Sequence, residues 1–196
     1  VLCMKRTERN KKSRDFILMH AFAEFSAHGY AGSRLNQICA RGNISKGLLY
    51  HYYTDKDALY ISCVAMLFQD MVDYLQERID LASLTVDQYF SVRLQFFQQH
   101  PLHRQMFYDV LMYPQSHLAE QIEQCRAAFD QFNNMALRTI LEKEQLADSV
   151  TLAQAIKQFR AFVNFLGVYI REDSAADAEQ KAGELLHTML YGLIAR

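Results

Sequence analysis

Apolar residues recur at three- and four-residue spacing along almost the whole chain, and nothing interrupts them often. That period places them on one face of an α-helix, whereas a half-buried strand would alternate every second residue. Only 7 Gly and 2 Pro occur among 196 residues, too few for the many turns of a β-sandwich or barrel. With 51% apolar residues, a chain of this length buries a real core, so disorder is excluded as its dominant state. The expected fold class is all-α, an N-terminal three-helix unit joined by a helix to a C-terminal helical domain.

Local signals set the expected helices. Ile17, Ala21, Phe25 and Gly29 share one face of a first helix, with Gly29 as its stop. Ser33 is expected to N-cap a short second helix, which Gly42-Asn43 ends because Asn tolerates the left-handed turn. Ser45 caps a short third helix, and Thr54-Asp55-Lys56-Asp57 reads as a capping box opening a fourth that runs to about Leu81. Further helices are expected near 86–99, 102–113, 116–145, 151–171 and 175–194, with Pro101 and Pro114 at helix starts.

Charge is unevenly divided. Residues 1–56 carry a formal +6 and residues 57–196 carry −7, a basic head on an acidic body. Such asymmetry suits a polyanion at one end, although a solvated basic tail gives the same count. Cys3, Cys39, Cys63 and Cys125 are scattered without a C-x-x-C, which favours reduced thiols and a cytoplasmic home. No apolar run reaches the roughly 18 residues of a membrane helix. Ala161–Ile170 is the best and contains Asn164; no signal peptide or membrane partner is expected.

The segment Ser33 to Tyr53 has the helix-turn-helix plan, whose second helix enters the DNA major groove. Ser45 and Lys46 open that helix, where backbone N–H groups favour phosphate. Gly47 lets the helix approach the duplex, Leu48 can press on a thymine methyl, and His51 can bond a base edge or phosphate. Tyr50, Tyr52 and Lys56 are expected to hold the backbone, and Ser33 and Arg34 to touch phosphates on the other wall of the groove. Tyr53 reads as core, Tyr50 as core or contact, and Arg41 as a solvated charge. The run Lys5 to Arg14 reads as a flexible basic arm adding salt-dependent affinity, or as a plain solvated tail.

Ser33-Arg34-Leu35-Asn36-Gln37-Ile38-Cys39, Ile44-Ser45-Lys46-Gly47-Leu48-Leu49-Tyr50-His51-Tyr52-Tyr53 and Asp55-Lys56, with Phe25, Gly29 and Tyr30 upstream, resemble the tetracycline-repressor (TetR) family over about residues 12–60. Gly42-Asn43 stands where that family usually has Ala-Gly, Tyr53 where it has Phe, and Leu48 where it has a small or polar residue. The resemblance implies a DNA-binding domain over 1–56 and an effector-binding and dimerisation domain over 57–196. It also implies a homodimeric transcriptional regulator, a repressor released from a palindromic operator by a small molecule. The positions matching Ser45, Lys46, Leu48, Tyr50, His51, Tyr52 and Lys56 would lie on or near DNA.

In the body, Leu152, Ile156, Phe159, Val163, Leu166 and Ile170 form one apolar stripe beside Ala155, Phe162, Phe165 and Tyr169. With Leu185, Leu186, Met189, Leu190 and Leu193 of the last helix, the first stripe is expected at a two-fold interface. Phe96, Phe97, Met106, Phe107, Val110, Leu111, Tyr113, Phe129, Phe132 and Phe165 are candidates for an effector pocket, or for plain core. Tyr108, His100, Arg104 and Asn164 are candidate anchors, and Arg93 or Arg104 with Asp109 a candidate polar pair. His100-x-x-His103 with His117 and Glu120 lacks the compact spacing of structural zinc, so no metal is expected. Without a nucleophile elbow or phosphate-loop fingerprint, no catalytic role and no cofactor are expected. The alternative function is a helical small-molecule binding protein or enzyme that does not act on DNA.

Overall fold

A computed structural model describes residues 2–169 together with 181, 184, 185, 188 and 189. Its elements are α1 (Leu2–Gly32), α2 (Leu35–Gly42), α3 (Lys46–Tyr52), α4 (Lys56–Arg78), α5 (Val86–Gln99), α6 (Pro101–Met112), a 3₁₀ turn (Ser116–Leu118), α7 (Ala119–Leu141) and α8 (Leu152–Tyr169). No strand occurs among the described residues, and the fold is all-α.

Several local expectations hold for the reasons that motivated them. Gly29 breaks α1 at φ 64, and Asn43 takes the left-handed conformation, φ 49, after α2. Ser45 accepts the Leu48 N–H at 3.2 Å and so caps α3. Pro101 is the first residue of α6. Thr85 and Gln88 close a capping box at α5, since each side chain accepts the other residue's backbone N–H.

Other expectations need correction. Ser33 does not cap α2: the cap position is Arg34, and the Ser33 hydroxyl donates to the carbonyls of Gly29 (2.6 Å) and Glu24 (3.1 Å). At α4 it is Asp55, not Thr54, that caps by accepting the Ala58 N–H at 2.8 Å. Asp57 is drawn away to Tyr30 and His117. α4 ends at Arg78, where Asp80 begins a turn by accepting the Ala82 N–H. The expected helix over 116–145 divides into the 3₁₀ turn and α7, so Pro114 starts no α-helix. The basic run from Lys5 to Arg14 is part of α1, not a flexible arm. The expected helix over 175–194 lies outside the described residues except for 181, 184, 185, 188 and 189.

The chain forms two compact units that do not follow chain order: residues 1–68 with 101–126, and residues 69–100 with 127–196. In the first, α1 packs on α6 and α2, and Ile17, Phe25, Ile38, Leu49, Tyr60 and Phe107 are almost wholly buried. Gly29 is needed here twice over, for its positive φ and because a Cβ would come 2.8 Å from Asp109 Oδ1. In the second, Tyr89, Phe96, Phe129, Phe132, Ala155 and Phe159 are buried, and the Phe90 and Phe159 rings meet at 5.7 Å. Each buried large apolar side chain of this kind contributes roughly 1.5–3 kcal/mol. Contrary to the sequence reading, α4 is long and apolar enough to cross a membrane by composition; more than half of that stretch is buried in the protein, as in a core helix.

Candidate nucleic-acid interface

The α2–α3 pair is anchored from below and open above. Ile38, Ile44, Leu49 and Tyr53 are buried and fix the two helices to the first unit. Lys46, Gly47, Leu48, Tyr50 and His51 then lie on the opposite side of α3 and are exposed, as are Arg34 and Ser45 at the two helix starts. Tyr50 is 53% exposed and Leu48 37%, large apolar bodies that the core leaves uncovered. A Cβ at Gly47 would meet nothing within 4 Å, so no neighbour in this chain requires glycine there. Gly42 differs, since a Cβ would lie 2.5 Å from Ile44 Cδ1.

Two expected contacts are half-buried. Tyr52 donates its hydroxyl to Asn10 Oδ1 at 3.3 Å, which ties α3 to α1. Lys56 Nζ lies 4.4 Å from the centre of the Tyr30 ring, and burial lowers its proton affinity against the pull of Asp57. Ser33 is 2% exposed with its hydroxyl spent on two carbonyls, so its side chain is not available to a phosphate.

Arg41 was read as solvated, yet its Nη1 lies 2.6 Å from Glu24 Oε2, and Glu24 is wholly buried. The signal was present: Glu24 interrupts the apolar face of α1, and a carboxylate there requires a counter-ion. Beside it, Tyr30 donates to Asp57, whose other oxygen lies 3.3 Å from His117 Nε2. Burial, then the bond to Asp57, pushes the Tyr30 hydroxyl up to about 12. Asp109 is half-buried against the Gly29 break and accepts the Tyr30 N–H. Burial raises its carboxyl above the ordinary range while that bond opposes the rise.

The effector candidates divide between the units. Phe96, Phe97, Phe129 and Phe132 are buried in the second unit, where Phe165 is 56% exposed. Met106, Phe107 and Val110 are buried in the first, with Leu111 half-buried and Tyr113 68% exposed. Exposure removes Tyr113 and Phe165 as buried lining, and Tyr108 is buried in the first unit. Arg93, 5% exposed, bonds Tyr89 and Asn133 in place of the expected pair with Asp109.

The expected dimer stripe is also corrected. Phe159 and Val163 are buried within one chain, because α8 turns them inward beside Ala155. Leu152, Ile156, Leu185 and Met189 are half-buried, while Leu166, Leu186, Leu190 and Leu193 lie outside the residues whose side chains are described. The His103 ring lies tilted against Phe22, centres 4.6 Å apart, and His117 faces Asp57. Among the described residues no three His, Cys, Asp or Glu side chains gather to hold a metal.

Comparison with known proteins supplies the lineage. The model for bacterial regulatory proteins of the tetR family matches residues 17–63, and that for the tetracyclin repressor-like C-terminal domain matches residues 69–189. The HTH-type transcriptional regulator RutR of Escherichia coli is 30% identical over 105 residues, 53% of this chain and 50% of its own. The HTH-type transcriptional repressor SCO4008 of Streptomyces coelicolor is 31% identical over 108 residues, 55% and 54% of the two chains. The chain thus spans about half the length of the relatives it matches. A TetR transcriptional regulator from Chloroflexus aurantiacus superposes with a TM-score of 0.73 at 16% identity, covering 96% of this chain and 100% of that one. FadR from Bacillus subtilis, solved with stearoyl-CoA, gives 0.71 at 14%, covering 90% and 97%. Such distant structures share the fold alone. The C-terminal match spans more than half of the sequence and the N-terminal match includes the open helix pair; the chain belongs to the tetR family of bacterial regulatory proteins.

Proposed function

We propose that this protein is a homodimeric, DNA-binding transcriptional regulator of the repressor type, acting in the cytoplasm and released from a palindromic operator by a small molecule. Residues 1–56 serve DNA and residues 57–196 serve effector binding and dimerisation. The observation that carries this reading is the outer face of α3. Lys46, Leu48, Tyr50 and His51 stand exposed around a Gly47 that no contact within the chain requires. Such a face suits close approach to a groove, with Arg34 and the Ser45 hydroxyl placed for phosphate and Lys56 at its margin. RutR and SCO4008 are named as a transcriptional regulator and repressor, which supports the same reading.

Two recognition helices in a dimer must enter grooves about one DNA turn apart. An effector releases DNA only if it binds more tightly to the conformer whose spacing is wrong. The dimer face of this reading comprises Leu152, Ile156 and Leu166 of α8 with Leu185, Leu186, Met189, Leu190 and Leu193.

The test is fluorescence anisotropy with the upstream intergenic duplex and a scrambled control at two salt concentrations. The dimer should bind the upstream duplex selectively and lose affinity steeply with salt. Replacing Lys46 and His51 together with Ala should weaken binding at least about tenfold and flatten the salt slope, with the dimer intact by light scattering. Unchanged affinity in that variant would remove α3 from the interface.

A further inference from the structure

Arg93 lies on α5 inside the second unit, 5% exposed, yet its hydrogen-bond partners among the described residues are neutral. Its Nη1 donates to Asn133 Oδ1 at 3.1 Å and to the Tyr89 hydroxyl oxygen at 3.3 Å. Tyr89 in turn donates to the same Asn133 oxygen at 2.6 Å. The guanidinium carbon lies 5.3 Å from the centre of the Phe129 ring and 5.5 Å from that of Tyr89. Asp130 is near enough to add to the burial that raises the Tyr89 hydroxyl, but among the described residues no carboxylate forms an ion pair with Arg93.

A buried cation without a counter-ion is among the least favourable arrangements a core can hold. Hydrogen bonds to neutral oxygens and the faces of two rings offset part of that cost. The remaining donors also have a definite shape. Nη1 donates to Asn133 and Tyr89, whose oxygens lie 2.6 Å apart and so hold the same end of the group. Among the described residues nothing accepts from the Nε–H and Nη2–H edge, and a planar carboxylate can bond it at two points.

We propose that Arg93 is the anion seat of the effector site, and that the effector is a monocarboxylate with an apolar body. This inference rests on the ligand-responsive regulator reading above. One cation and one open edge match two coplanar oxygens sharing one charge. A phosphate group would bring up to two charges to a single guanidinium. The Phe129 and Tyr89 rings, 5.3 and 5.5 Å from the guanidinium carbon, supply apolar surface around the group, and Asn133 positions it through Nη1.

Calorimetric titration of the full chain without DNA tests this, using benzoate, benzamide, octanoate, octanamide and inorganic phosphate. At least one acid should bind about tenfold or more tightly than its own amide, and phosphate should not compete. R93M should abolish the preference for acid over amide. R93K, which keeps a point charge but loses the fork, should keep only part of it. The unliganded R93M variant should melt no lower than the parent, because an unneutralised buried charge has been removed. A purely structural arginine predicts the reverse, a lower melting temperature and equal binding of acids and amides. Either that result or displacement of the acids by phosphate overturns the proposal; if R93M does not fold, the acid–amide pairs on the parent and R93K still decide. Selective DNA binding by the unliganded protein is measured separately. Its loss would overturn the regulator reading without touching the acid–amide result, and the reverse also holds.

Discussion

Glu24 in the first unit and Arg93 in the second are both buried ions, and the chain treats them in opposite ways. Glu24 has Arg41 at 2.6 Å and His28 at 3.7 Å, a contact of charges in which neither oxygen receives an aligned hydrogen bond. Arg93 donates from Nη1 to two neutral oxygens and, among the described residues, meets no opposite charge. The first arrangement locks α2 onto α1 beneath the exposed helix pair. The second leaves an electrostatic demand in a core of rings. A buried charge thus holds structure where its partner is supplied from within, and invites a ligand where it is not.

Three substitutions sharpen or break that contrast. The largest effect is expected for Arg41→Ala, which strands Glu24 in the core with only His28 nearby. Losing one member of a buried pair costs about 3–5 kcal/mol, and the half-exposed Arg41 places this case near 3. The urea midpoint should fall accordingly; a midpoint as insensitive as that expected of R93M would erase the distinction between the two ions.

Gly29→Ala comes next. Its φ of 64 with ψ 178 lies in a region essentially reserved for glycine, and the new methyl would press on Asp109 Oδ1 at 2.8 Å. A loss of about 2 kcal/mol is expected in thermal unfolding. A variant that melts with the parent would show that the break in α1 relaxes without cost.

The smallest effect belongs to Asp109, an intermediate case held by a backbone N–H and no cation. Because burial raises its carboxyl, the folded chain binds that proton more tightly than the unfolded chain. Its contribution is therefore most favourable below the ordinary carboxylate range, and it declines as pH rises through the elevated value. Asp109→Asn should flatten this part of the stability curve from the ordinary carboxylate range upward and leave the protein slightly more stable at the upper end. Identical pH slopes for parent and variant would remove Asp109 from the comparison.

What sequence reading recovered and what it missed follow one rule. Gly29, Asn43, Ser45 and Pro101 act on their own backbone within a few residues, so their roles were visible from neighbours alone. The exposed face of α3 was legible for the same reason, because Leu49 and Tyr53 mark its inner side. Arg41 and Arg93 escaped sequence reading because Glu24 and Asn133 lie 17 and 40 positions away, whereas the Ser33 hydroxyl turns back to Gly29 and Glu24 instead of forward to α2. Asp55 displaced Thr54 as the cap since Asp57, the residue the box needed, bonds Tyr30 across 27 positions. Apolar spacing put Phe159 in the two-fold stripe and left Phe107 between pocket and core, and it carried no information on which unit each would join.

The discontinuous first unit has a consequence for how the protein is made. Residues 1–68 emerge from the ribosome long before residues 101–126, which complete the same compact body. At about 5–20 residues per second, the nascent helix-turn-helix waits several seconds for α6, whose arrival covers α1. Through that interval Phe22 lacks its native contact with His103, so chaperone engagement and truncation products should concentrate before residue 126 has been synthesised.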